Sequence, residues 1–141
     1  MPRIEWNTSF SVNNDEIDTQ HKAWIETINT LHDSMINGEA EDTRKVIIAS
    51  LEAMISYTRF HFKFEEEYMR KINYPDLADH LKLHENFIAQ LHKYDYDIRN
   101  GSPVLGTRIT KTMRKWFTEH ILTEDKKYAL FVSQRKHLRN L

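Results

Sequence analysis

The 141-residue chain predicts an all-α fold: an up-down-up-down antiparallel four-helix bundle with an irregular N-terminal arm and a short C-terminal tail. Three observations carry this. Apolar residues recur at helical spacing in four long stretches. Glycine and proline number only 3 each, which suits long helices and few turns. The breaks between stretches are short, and short connections make successive helices antiparallel neighbours.

The arm runs from Met1 to about Asn13. It is rich in β-branched, aromatic and turn residues, and Trp6 and Phe10 are expected to pack across the bundle. The first helix starts near Asn14 or Asp15, both good N-caps, with acids in its first turn. Ile17, Trp24, Ile25, Ile28, Leu31 and Met35 form its inward stripe, and Asn37-Gly38 ends it. The second runs from about Glu41 to Ile72, with Val46, Ile47, Leu51, Met54, Ile55, Thr58, Phe62 and Met69 inward. It stops before Asn73-Tyr74-Pro75, because a residue preceding proline disfavours the helical region. The third opens near Asp76, with Pro75 close to its N1 region. It passes through Leu83, Phe87, Ile88 and Leu91 to about Arg99, before the break Asn100-Gly101-Ser102-Pro103. The fourth covers about Val104 to Lys126, with Ile109, Met113, Trp116, Phe117 and Ile121 inward. The tail, Lys127 to Leu141, is expected to be partly helical. No repeat or linker divides the chain, so residues 1–141 read as one domain.

Charge and composition remove several function classes. Lys+Arg 20 against Asp+Glu 21 leaves a net charge of -1, which offers nucleic acid or an anionic membrane no basic surface. No apolar run is long enough to span a membrane, and the N-terminus lacks the blocks of a signal peptide. Absence of cysteine excludes disulfides and thiolate chemistry and suits the cytoplasm.

The chemistry lies in histidines and carboxylates. His61 and Glu65 are four residues apart, as are His80 and His84. Four residues turn a helix by about 400°, so each pair shares a face. His21 sits near the first stripe and His120 near the fourth, with Asp125 five residues on. A lone buried histidine is more often a hydrogen-bonded core residue than a ligand. Five imidazoles and two carboxylates directed into one small core are another matter: they have no apolar justification, and bound cations relieve their burial cost.

Seven ligands are too many for one tetrahedral zinc, which implies two metals. Mixed imidazole and carboxylate donors suit iron. Consider two six-coordinate ions bridged by Glu65, Asp125 and a hydroxide or oxide. Every position is then filled but one, and the vacancy falls on the ion with two histidines rather than three. His80 and His84 belong to one ion. The spacing from His120 to Asp125 is odd, because five residues in a regular helix point apart by roughly 140°. It predicts a π-type turn, which suits i to i+5 and recurs at functional sites.

The segments IDTQHKAWIETIN at 17–29, HFKFEEEYMRKINYPDLADHLKLHENF at 61–87 and WFTEHILTEDKKY at 116–128 together resemble the hemerythrin family, specifically its bacterial single-domain members. The resemblance spans nearly the whole chain. It implies a non-haem di-iron centre (Fe2+/Fe3+) that binds dioxygen reversibly. His80, His84 and His120 would hold the fully coordinated iron and His21 and His61 the iron with the open site, with Glu65 and Asp125 bridging. Trp24, Phe117 and Ile121 fall at positions that line the oxygen pocket. Trp24 is larger than the aliphatic residue common there, so pocket size, oxygen affinity and autoxidation turn on this position.

Other polar residues read as surface or packing groups. His32 lies about 16 Å from His21 along its helix and His92 about 12 Å from His84, too far to join the site. Both, with His137, are expected at the surface or boundary. Glu66 and Glu67 read as solvated charge, and Tyr68, Tyr74 and Tyr128 as packing. The leading function is an oxygen carrier, store or local supplier and not an enzyme: a cytoplasmic monomer serving an oxygen-consuming enzyme. The alternatives are a di-iron enzyme or scavenger acting on peroxide or nitric oxide and an oxygen sensor with a separate partner; an iron store would need a cavity for more than two ions, which the sequence does not offer.

Overall fold

The computed structural model describes residues 3–37, 40–101 and 106–139, and the side chains of 3–33, 44–101 and 108–136. Met35, Gly38, the Ser102-Pro103 break, Val104 and the His137 side chain lie outside these. The helices are α1 (Asp15–Asn37), α2 (Ala40–Lys71), α3 (Leu77–Arg99), α4 (Gly106–Glu119) and α5 (Lys126–Arg139). A π segment, His120–Asp125, joins α4 to α5, and a 3₁₀ turn, Thr8–Phe10, punctuates the arm. No strand occurs among the described residues.

Helix ends follow local chemistry. The Asn14 side chain accepts from the Ile17 amide at 3.1 Å, which caps α1. At the end of α2 the Tyr74 amide donates to the Met69 carbonyl and the Asn73 amide to Arg70. Asn73 itself takes φ 56°. This is a Schellman ending, with asparagine in the left-handed conformation it tolerates better than most residues. The sequence reading credited Pro75 alone. Pro75 in fact lies before the Asp76 N-cap rather than at N1.

α1 packs on α2 and α4, and α2 on α3. The Phe87 and Trp116 rings, stacked at 3.9 Å, link α3 to α4. The core forms two apolar clusters. The larger gathers Trp24, Ile28, Leu51, Met54, Phe62, Phe87, Leu91, Met113, Phe117 and Ile121, among others. The smaller holds Val12, Ile17, Met69, Tyr74, Tyr128 and Ala129. α1 and α3 run from the smaller cluster to the larger, whereas α2 and the α4–α5 rod run the other way. That is the antiparallel four-rod arrangement expected.

Phe10 packs on Phe117 at 6.2 Å and on Trp6 at 5.7 Å, as anticipated for the arm. Two polar anchors were not anticipated. Asn29 exchanges hydrogen bonds with the Ile4 backbone. The Asp18 carboxylate accepts from the Val12 amide at 2.9 Å and the Ser11 hydroxyl at 2.6 Å. Two expectations change. Val46 is 38% exposed, so the second stripe begins at Ile47. The tail is a full continuation of the fourth rod, because the π segment keeps the chain helical through to Arg139.

Leu51 is fully buried and Phe60 is 57% exposed. Leu51→Ala should cost about 3 kcal/mol in urea unfolding through the cavity it leaves, and Phe60→Ala no more than about 0.5 kcal/mol.

Candidate metal centre

Between the two apolar clusters lies a polar layer to which every rod contributes. α1 supplies His21 between Ile17 and Trp24. α2 supplies His61 and Glu65, α3 His80 and His84, and the π segment His120 and Asp125. All seven are buried: His120 is 5% exposed, the two α3 histidines 2%, and the remaining four 0%. The π segment is what admits Asp125. Its wider turn, with the Lys126 amide reaching back five residues to the Ile121 carbonyl, returns a residue five positions on to the face of His120.

The four carboxylate oxygens divide the layer. Glu65 Oε1 stands 3.2 Å from His80 Nε2 and 3.1 Å from His84 Nε2. Asp125 Oδ1 is 3.1 Å from both His80 Nε2 and His120 Nε2. On the other side, Glu65 Oε2 lies 3.5 Å from His21 Nε2 and 3.3 Å from His61 Nε2. Asp125 Oδ2 is 3.2 Å from His21 Nε2. Two donor groups result, each able to hold one ion: Glu65, His80, His84, His120 and Asp125 in one, and His21, His61, Glu65 and Asp125 in the other. The carboxylates belong to both.

These atoms crowd without satisfying one another. His21 Nε2, His61 Nε2 and both Asp125 oxygens are buried with no hydrogen-bond partner. His84 Nε2 and His120 Nε2 face each other at 3.1 Å. Neighbouring donors on an octahedral ion with bonds of about 2.1 Å stand about 3 Å apart. Orphaned buried donors at that spacing fit metal ions.

Outer contacts fix the rings. His61 Nδ1 donates to Gln20 Oε1 at 2.8 Å, and His84 Nδ1 to Glu66 Oε2 at 2.9 Å. Each bond commits the proton to Nδ1 and leaves the Nε2 lone pair free to ligate. The Tyr128 hydroxyl donates to Glu65 Oε2 at 3.1 Å. Phe62 stacks on His84 at 3.6 Å and Trp116 on His120 at 4.2 Å.

Without metal, protons take the place of cations. Burial alone would lower His21, but Asp125 and Glu65 raise it to about 9. His80 is raised to about 10 by the same two carboxylates against the same opposing burial. Burial wins at His61 and lowers it, despite Glu65. Burial would raise Glu65, yet His61, His21 and His80 hold it well below the usual carboxylate range. Asp125 is likewise depressed: burial and Glu65 push up, and His120 and His21 pull down further.

Residues 12–131 match the family described as "Hemerythrin HHE cation binding domain". The chain belongs to the hemerythrin family. The bacteriohemerythrin of Pseudomonas paraeruginosa is 32% identical over 129 residues, covering 92% of this chain and 81% of that protein. The bacteriohemerythrin of Methylococcus capsulatus is 30% identical over 130 residues, with 92% and 96% covered. A crystal structure of wild-type hemerythrin superposes with a TM-score of 0.82 at 30% identity, over 91% of this chain and 96% of that one.

In this chain the seven residues singled out by spacing all meet in the layer. Trp24, Phe117 and Ile121 are fully buried in the larger cluster. Trp24 lies 5.5 Å from the His61 ring and Phe117 6.0 Å from His21. Trp24 Nε1 meets Met54 Sδ at 2.8 Å. Three expectations are corrected. Glu66 is no free surface charge, because it holds His84. Tyr128 does more than pack, since its hydroxyl reaches Glu65 while Tyr68 and Tyr74 pad its ring. His32 is buried, because eleven residues return it to the inward face of α1 that carries His21, at another level. Gln20 was missed altogether, and nothing in its spacing marks it. Glu67 and His92 are exposed as expected, His92 against Arg59 at 2.7 Å.

His21 and His80 keep protons in the folded metal-free protein up to about 9 and about 10, whereas the unfolded chain releases them near 6.5. Their stabilisation is complete below about pH 6.5 and lost as pH rises through 9 to 10. Thermal melts in a chelator should therefore show Tm falling across that window. The depressed carboxylates add a second loss below about pH 4. In metal-loaded protein the alkaline fall should vanish.

Proposed function

We propose that the protein binds dioxygen reversibly at a pair of iron ions, as a carrier, store or local supplier. The observation that carries this reading is the division of the carboxylate oxygens between a three-histidine and a two-histidine group. In this reading His80, His84 and His120, with Glu65 Oε1 and Asp125 Oδ1, hold one iron. His21 and His61, with Glu65 Oε2 and Asp125 Oδ2, hold the other, and the poorer set leaves a position for an exogenous ligand. Bound there, the iron pair supplies a source of electrons and one open coordination position for a diatomic molecule.

The chain's residues set how that position is used. Five neutral imidazoles against two carboxylates favour ferrous iron more than the carboxylate-rich sets of ferritin-like di-iron proteins do. Trp24 and Phe117 wall His21 and His61 with aromatic carbon, which keeps water and proton donors away from that side. The Tyr128 hydroxyl lies in the opposite cluster and is engaged by Glu65. Such a lining suits holding a ligand rather than cleaving it. Within this reading residues 1–141 act as one domain, a cytoplasmic monomer that delivers dioxygen to an oxygen-consuming enzyme. No described helix is long and apolar enough to cross a membrane.

The test is the visible spectrum of iron-loaded protein, reduced, then aerated, then degassed. A charge-transfer band that comes and goes over repeated cycles is the expected result. Loss of the band with consumption of peroxide or nitric oxide would overturn the carrier reading in favour of an enzyme. Metal analysis adds a second check. Glu65→Ala, which removes a ligand shared by both positions, should abolish tight binding of both ions, and His61→Ala should reduce two irons per chain to about one.

A further inference from the structure

Behind the two donor groups, the outer hydrogen bonds differ in charge. His84, of the three-histidine group, donates from Nδ1 to a carboxylate, Glu66 Oε2, at 2.9 Å. His61, of the two-histidine group, donates from Nδ1 to a neutral amide, Gln20 Oε1, at 2.8 Å. The bonds are alike in length and atom, so the contrast is one of charge alone. A carboxylate behind an imidazole raises the ring's basicity as a ligand, and a neutral acceptor does so much less.

We propose that Glu66 and Gln20 make the two metal positions unequal, the Glu66 carboxylate tightening the three-histidine position and the Gln20 amide leaving the two-histidine position weaker and easier to open. Both act as positioning residues, each through a histidine. The inference rests on the two-metal reading above and goes beyond it by ranking the positions.

The surroundings suit both parts. The Glu66 side chain is 22% exposed and lines a cleft of about 550 Å³ whose walls also carry Arg59, Lys63 and His92. Partial exposure lets it keep a charge at less cost than the fully buried Glu65 meets. Gln20 is held by its backbone, whose carbonyl accepts from the Tyr57 hydroxyl at 3.0 Å. Ring orientation does not depend on Glu66 alone, because Phe62 lies flat on His84 with an interplanar angle of 2°. Glu66→Gln therefore removes charge while keeping an acceptor and a supported ring.

The experiment is calorimetric titration of the metal-free full chain with Co2+, followed also by the absorption of bound Co2+. Wild type should take two ions in two resolved steps. Glu66→Gln should weaken the tighter step about tenfold or more and leave the weaker step within about twofold. The reciprocal Gln20→Glu should tighten the weaker step and spare the stronger, a gain that a purely structural role would not produce. Should Glu66→Gln fail to fold, Gln20→Glu decides alone. Two ions in wild type with equal or no response to the substitutions would overturn this inference and leave the two-metal reading standing. A single Co2+ per chain would overturn both.

Discussion

Glu65 and Asp125 are two carboxylates with no access to water in the middle of a bundle, and the rest of the molecule is arranged around that fact. Burying one unpaired carboxylate costs several kcal/mol even after relaxation. Here two stand together and raise the cost for each other. Five imidazole nitrogens within 3.1–3.5 Å offset it, and each rod must deliver its share at the same height. The apolar clusters above and below act as clamps. They hold the axial level of the rods, because close-packed side chains resist sliding.

That division explains what could be read in advance. The seven residues of the layer were legible because a metal site would impose residue type and spacing together: pairs four apart on α2 and α3, and the awkward five between His120 and Asp125. The awkward spacing was the most informative, since no regular helix accommodates it and the π segment does. The apolar stripes were legible for the usual reason, that a buried face repeats at the helical period. Gln20 and Glu66 were not. An outer-shell acceptor needs only an oxygen within reach, which many exposed residues on a charged helix could offer, so nothing in the one-dimensional pattern separates Glu66 from Glu67. Val46 failed for a related reason: at the edge of a helix face the helical period does not decide burial. His32 was legible by its eleven-residue spacing from His21, and only its distance along the helix was weighed.

The layer also has two unlike sides. Toward the larger cluster, the two-histidine group meets Trp24 and Phe117, bulky aromatic carbon without a titratable proton. Toward the smaller cluster, Glu65 meets the Tyr128 hydroxyl, which anchors the shared carboxylate from behind. Polar support reaches the layer at Gln20, Glu66 and Tyr128, and the dry wall faces the two-histidine group.

The widened turn at His120–Asp125 has a consequence for the length of the chain. It amounts to one residue more than a regular helix would spend between those two side chains. Winding the same six residues as a regular α-helix would swing everything beyond them through about 100°. Asp125 would leave the layer, and Tyr128 and Ala129 would quit their places beside Ile17 and Met69. The bulge therefore absorbs one extra residue without turning the rod. Losing one residue within it would leave a regular helix with Asp125 and all that follows still in phase, at the four-residue spacing that His61 and Glu65 already use.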